Sequence, residues 1–184
     1  EKSFGSASLR YLDDGLAGDR LYKNNSEKGE KRFTDITNEA KIYSSQLGYG
    51  LGTGISDLNN DGWPDLYVSN DFNENDYLYL NKADGTFQDQ TSSAINYSSR
   101  FSMGSDFADM NNDGWIDFIT LDMLAKEETI QKLSQGEDTE ENLQQKLNYG
   151  FERQFSRNCF QLNNGNGTFS EIAQLSGISA TDWS

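Results

Sequence analysis

One nine-residue stretch recurs in this chain and restricts its possible folds more than any other feature. Asp57-Leu58-Asn59-Asn60-Asp61-Gly62-Trp63-Pro64-Asp65 returns 52 residues later as Asp109-Met110-Asn111-Asn112-Asp113-Gly114-Trp115-Ile116-Asp117. Each copy puts a carboxylate or amide oxygen at loop positions 1, 3, 5 and 9, with glycine at 6. Hard cations such as calcium take about six to eight oxygen ligands at about 2.3–2.6 Å, and a tight loop of alternating oxygens supplies them. The backbone carbonyl at position 7 adds a further donor, and the glycine permits the sharp turn. The candidate ligands for Ca2+ are therefore Asp57, Asn59, Asp61, Trp63 and Asp65, and in the second copy Asp109, Asn111, Asp113, Trp115 and Asp117. A single loop of this composition reads equally well as a solvated turn. Recurrence at matched positions favours the metal.

An EF-hand shares the opening pattern but needs a bidentate glutamate at loop position 12. Val68 and Thr120 stand there instead. The residues after each loop, Asp65-Leu66-Tyr67-Val68-Ser69 and Asp117-Phe118-Ile119-Thr120-Leu121, alternate as strands do. The loops are expected between strands, not helices.

The length of 184 residues suits one ordinary domain. A net charge of −15 argues against nucleic acid as a partner, because phosphate binding needs a basic face. It suits a chain whose carboxylates are partly neutralised by cations. An apolar content of 34% would allow disorder, but 11 Phe, 9 Tyr and 3 Trp argue for a core. There is no histidine, which excludes Ser-His-Asp, Cys-His and His-ligated zinc chemistry within these residues. The single cysteine, Cys159, sits beside Phe160 and Leu162 and reads as a buried strand thiol. Neither a signal-peptide pattern nor a membrane span is recognisable.

A second motif occurs three times, and internal repeats decide the fold class. Its copies are Leu21–Asn25 with Phe33–Thr37, Leu78–Asn81 with Gly85–Thr91, and Phe160–Asn164 with Gly165–Ile172. Each reads as strand, Asn/Gly turn, strand, which is a hairpin signal. A third element, Leu51–Ser56 and Met103–Ala108, precedes each Asp-rich loop; its small residues allow close backbone approach. One unit is thus strand, calcium loop, strand, connection, strand, tight turn, strand. That is a four-stranded antiparallel sheet, the blade of a β-propeller, so the expected class is all-β.

The register places the second half of a unit in residues 1–50, a whole unit in 51–100, and another in 101–184. Thr181-Asp182-Trp183-Ser184 matches the approach to a further loop. Two and a half blades cannot close a ring, so the chain is expected to be part of a longer one. The last unit carries an insertion at about 124–157. Leu143, Leu147, Phe151 and Phe155 recur there at intervals of four, predicting a helix over about 140–155 with these four on one buried face. Asp138 or Thr139 could cap it. The stripe either packs on the propeller's own flank or forms a projecting partner-binding helix.

These loops, the strand Asp65–Asn70, the segments Leu78–Asn81 and Gly85–Thr91, the turn Asn163–Phe169 and the segment Ala180–Ser184 resemble the FG-GAP/VCBS repeats of integrin α-subunit propellers. The wording is similar to that of the ASPIC–UnbV group of cartilage acidic protein-like chains. The resemblance implies a seven- or eight-bladed propeller, calcium at the loop positions named above, and secretion or display on the cell surface with association with other surface proteins. The leading functional expectation is a non-catalytic module that binds a protein or glycan ligand. An alternative is a lectin or a lyase-like enzyme acting on polysaccharide. For that, Asp71, Glu74 and Asp76, which follow the strand ending at Asn70 and are not assigned to metal, are the best candidates, although as loop acids they read first as solvated. A rigid spacer is the third reading.

Overall fold

The computed structural model describes residues 10–12, 15–134 and 139–181. Asp138 and residues 182–184, for which a cap and the approach to a further loop were expected, lie outside them. In chain order, β1 (Tyr22–Asn24) and β2 (Phe33–Asp35) form a hairpin. β3 (Gly50–Ser56), β4 (Asp65–Asn70), β5 (Tyr77–Asn81) and β6 (Phe87–Asp89) form one antiparallel sheet in that order. α1 (Thr91–Ala94) and β7 (Ser98–Ser99) lead to β8 (Gly104–Ala108) and β9 (Asp117–Leu121). After α2 (Glu128–Ser134), α3 (Glu140–Asn148) and β10 (Gln154–Phe155), β11 (Cys159–Asn163) and β12 (Phe169–Glu171) complete a second sheet, ordered β8-β9-β11-β12. Both sheets have the antiparallel order expected of propeller-type repeats. The first strand pair closes in the same register in each, with Ser56 opposite Asp65 and Ala108 opposite Asp117.

The outer hairpins turn where Gly85 and Gly167 adopt φ of +88° and +84°, a region favouring glycine. A side-chain clasp then closes each hairpin, tying the end of its second strand to the start of its first. Asp35 accepts from the Thr37 amide (2.9 Å) and hydroxyl (2.6 Å), and Thr37 Oγ1 accepts from the Leu21 amide at 2.9 Å. Asp89, Thr91 and Leu78 repeat this at 2.9, 2.6 and 2.8 Å. In the third copy Glu171 replaces the pair: its longer carboxylate accepts from both the Ala173 amide (2.7 Å) and the Phe160 amide (3.0 Å).

The sheets pack through aromatic rings. Phe118 is fully buried, with ring centroids of Tyr67, Phe107 and Phe169 at 4.5, 5.2 and 5.1 Å. Leu58 and Leu78 of the first repeat join the same core. Between β3 and β8 the small residues have the anticipated purpose. A Cβ on Gly52 would meet Gly104 Cα at 3.2 Å, and one on Gly54 would overlap the Phe107 ring. Cys159 is buried on β11. A smaller cluster of Ala40, Ile42, Val68, Tyr77 and Tyr79 joins the segment after β2 to the first sheet.

A polar latch lies at the end of each sheet opposite the Asp-rich loops. In the first, Asp76 accepts from the Asn70 amide (2.8 Å), the Tyr67 hydroxyl (2.7 Å) and Ser102 Oγ (2.6 Å) at the start of the next repeat. In the second, Asn158 stands where Asp76 does and accepts from the Asp122 amide at 2.7 Å. Its nitrogen donates onward to the Ile178 carbonyl and Thr181 Oγ1, both at 2.8 Å. Asp122 stands where Asn70 does. Carboxylate and amide have exchanged places between repeats.

Burial pushes the Asp76 carboxyl up to about 7, against the pull of its hydrogen bonds, and the Asp122 charge adds to the rise. Burial likewise raises Asp19 to about 6 and raises Asp122. A raised carboxyl favours folding while protonated. This contribution is fully present below the unfolded value near 4 and is lost as pH climbs through about 7. In chelator, the melting temperature is therefore expected to fall between pH 5 and pH 8, and Asp76→Asn to flatten that slope. An unchanged slope in the variant would remove Asp76 from this account.

The insertion folds differently from its periodicity. Thr139 caps α3, its side chain accepting from the Asn142 amide at 3.2 Å. The helix ends at Asn148 rather than continuing to 155. Gly150, at φ +79°, follows the C-cap Tyr149 and donates to the Leu147 carbonyl, while Phe151 donates to that of Lys146. These paired bonds are a Schellman terminator. Phe151 therefore leaves the helix and is buried beneath the Arg10 guanidinium, 4.4 Å from its ring centroid. Phe155 lies in β10, which pairs in parallel with β7. Leu143, Leu147, Phe151 and Phe155 thus do not share one helical face. The buried residue of α3 is Lys146, whose Nζ donates to Gln154 Oε1 at 2.6 Å.

Candidate metal centre

The backbone turn of each Asp-rich loop is set at two points. Asn60 and Asn112 adopt φ of 56° and 60°, and Gly62 and Gly114 adopt 88° and 87°. Asparagine tolerates the left-handed region because its short side chain bonds locally, and glycine because it has no Cβ.

The side chains fold over this backbone identically in both copies. Asp57 Oδ1 and Oδ2 accept from the Asp61 and Gly62 amides at 3.1 and 2.8 Å; Asp109 does so from Asp113 and Gly114 at 3.0 and 2.9 Å. Asp61 Oδ1 accepts from the Trp63 amide at 2.9 Å, and Asp113 Oδ1 from Trp115 at 2.8 Å. The amides of Asn59 and Asn111 donate to Asp61 Oδ2 and Asp113 Oδ2 at 2.8 Å. Asp65 and Asp117 lie fully buried beneath the loops. Asp65 accepts from the Leu58 and Asn81 amides at 2.9 and 2.8 Å, and Asp117 from Met110 and Asn163 at 3.0 and 2.8 Å. Position 9 thereby joins the loop to the third strand of its own sheet.

Burial raises the Asp65 carboxyl; hydrogen bonds from Asn81 and Leu58 oppose this, and the charges of Asp61 and Asp57 add to it. The donors are all oxygens, and a carboxylate has about four lone-pair sites. Each Asp therefore keeps acceptor capacity beyond the bonds above. That chemistry fits a hard divalent cation, which would also relieve repulsion among the three acids. Among the described residues no three His, Cys, Asp or Glu side chains gather closely enough to hold an ion as they stand. A cation at either loop would need these carboxylates to draw inward.

The two loops also touch each other. Asn60 Nδ2 donates to the Gly114 carbonyl at 3.1 Å, and Asn163 Nδ2 to the Leu58 carbonyl at 2.8 Å.

Residues 57–120 match the family model of the FG-GAP-like repeat. This span runs from the first loop to the strand after the second. Among curated proteins, integrin alpha-3 of Mus musculus and of Cricetulus griseus are each 32% identical over 96 residues. The alignments cover 45% of this chain and 9% of each integrin. The chain thus matches only a small part of these relatives' length.

The carboxylates set aside for catalysis are structural, not solvated. Glu74 is 1% exposed and accepts from Ser45 Oγ (3.0 Å), the Asn75 amide (3.0 Å) and the Tyr77 hydroxyl (2.8 Å). Arg10 Nε approaches it at 3.5 Å without hydrogen-bond alignment. Asp76 is the latch described above. Asp71 is buried and accepts from the Phe72 amide at 2.8 Å. The partners of Glu74 and Asp76 include residues 29 and 26 positions away, and no local pattern announces them. Of the four insertion residues weighed for packing on the flank or for a partner, Phe151 is consumed internally, while Leu143 and Leu147 stay half-exposed on α3.

Proposed function

We propose that this chain is a segment of an extracellular or cell-surface β-propeller. It binds Ca2+ at both Asp-rich loops and presents the opposite end of its sheets to a protein or glycan ligand. The observation carrying this reading is the paired loop geometry, with the same oxygen donors, backbone turns and hydrogen bonds in both copies. The FG-GAP-like repeat and the similarity to a segment of integrin alpha-3 support the binding role and the cell-surface setting.

Asp57, Asn59, Asp61, Asp65 and the Trp63 carbonyl would hold one ion, and Asp109, Asn111, Asp113, Asp117 and the Trp115 carbonyl the other. The ion would supply fixed positive charge that locks each loop. Glu74 and Asp76, acids weighed for glycoside chemistry, are buried and hydrogen-bonded within the fold, which favours binding over catalysis. The half-exposed Leu143 and Leu147 are the insertion residues offered to a partner.

Extracellular calcium modules bind with dissociation constants of about 10⁻⁴–10⁻³ M. At about 1 mM calcium each loop would add about 0.4–1.4 kcal/mol by mass action. Calcium titration followed by calorimetry and thermal melting is expected to show two sites and a rise in melting temperature that chelator reverses. Asp61→Ala is expected to abolish one site and leave the other, and Asp113→Ala the converse. No heat of binding and no change in melting on adding calcium would make the loops ordinary turns.

A further inference from the structure

The insertion walls a cavity that the fold alone does not require. Leu124, Gln131, Phe155, Arg157, Gln174 and Ser179 line a half-open cavity of about 300 Å³. Small-ligand pockets begin at about this size. It lies on the insertion's side of the second sheet, away from the Asp-rich loops.

The chemistry of the cavity centres on Arg157. Its guanidinium carbon lies 4.8 Å from the Tyr97 ring centroid and 5.0 Å from that of Phe155, and these rings meet edge to face at 5.1 Å. Tyr97 is itself fixed by a hydrogen bond from its hydroxyl to Glu171. Arg157 Nε is buried with no hydrogen-bond partner, and among the described residues no carboxylate forms an ion pair with this guanidinium. Aromatic faces hold a guanidinium plane without consuming its hydrogen-bond donors, leaving a preorganised fork for a carboxylate. The remaining polar lining is amides and hydroxyls, which bind neutral hydroxyl groups.

The geometry points to a site for a sugar acid: Arg157 pairs with the carboxylate of a hexuronate, and Gln174 and Ser179 contact its hydroxyls. The hexuronate can be a free monosaccharide or a unit of an acidic glycan. This site is independent of cation binding at the loops, so either can fail without the other.

The test is titration of the chain, in chelator, with glucuronate, glucose, acetate and a short oligogalacturonide, followed by calorimetry and by NMR shifts. Saturable binding of glucuronate is expected, with glucose and acetate each at least about tenfold weaker. Tighter binding of the oligomer would assign the site to a glycan chain, and equal binding per uronate to the free acid. Arg157→Gln is expected to weaken glucuronate by about tenfold or more, and Arg157→Lys to restore little, because the fork is lost. Gln174→Ala, at an exposed position, tests the hydroxyl contacts should the arginine variants fail to fold; it is expected to weaken glucuronate and leave acetate unchanged. The proposal is overturned if glucuronate does not saturate, if acetate binds as well as glucuronate, or if a folded Arg157→Gln or Gln174→Ala binds glucuronate like the parent.

Discussion

Gly54→Ala is expected to destabilise this protein by about 3 kcal/mol, the upper end of what overpacking costs. The added Cβ would lie 1.7 Å from Phe107 Cε2 and 2.2 Å from Cζ. That ring stacks on buried Phe118 at 22°, so it can yield only by giving up this packing. The β3 backbone is held too, since Gly54 pairs with Tyr67 across the ladder. Gly104→Ala is the control: an added Cβ there meets nothing within 4 Å, and the expected cost is below about 1 kcal/mol. Urea unfolding of both variants measures the difference. A double-mutant cycle sharpens it, because Phe107→Ala should cost less in the Gly54→Ala background than alone. Additive costs would show that the two sites do not meet.

Phe118→Ala is expected to cost about 3–5 kcal/mol. Phe118 is fully buried and touches rings from β4, β8 and β12, so its removal empties the junction of the two sheets. Within the usual total stability of about 5–15 kcal/mol, that loss brings the protein close to unfolding at ambient temperature. Phe118→Leu retains most of the volume and should recover at least half of it. A cost below about 1 kcal/mol for the alanine variant would mean that the sheets are joined elsewhere.

Much of this architecture was legible in the residues themselves. The hairpins and loops could be read because Asn, Asp and Gly occupy positions where the backbone needs φ above zero or a local acceptor, and such signals reach only a few residues. The helix end was misplaced for a related reason. Gly150 reads as a mildly weak helix residue until the bonds from Gly150 and Phe151 show it to be a terminator. The α2 segment lacked a periodic signal altogether, and the two-residue pairing of β7 with β10 is too short to leave one. Glu74 and Asp76 read as solvated in the sequence because Ser45 and Ser102, the partners contributed by neighbouring segments, lie 29 and 26 positions away. The clasp could have been found: Asp35-Ile36-Thr37 and Asp89-Gln90-Thr91 repeat openly, and only the substitution of both anchors by Glu171 hides the third copy.

The exchanged latch residues show which part of the device the repeats must keep. Asn70 with Asp76 and Asp122 with Asn158 each combine one acid and one amide, in opposite order. The bond that closes each latch is donated by the backbone amide of Asn70 or Asp122, whatever side chain that residue carries. Those side chains serve other partners: Asn70 accepts from the Tyr49 amide and donates to the Asn75 carbonyl, and Asp122 accepts from Ser99 Oγ and the Phe101 amide. The latch therefore asks only for a buried oxygen acceptor at the later position, which Asp76 and Asn158 both supply. Sequence comparisons among repeats of this kind should find aspartate and asparagine interchanging there without a matching change at the earlier position.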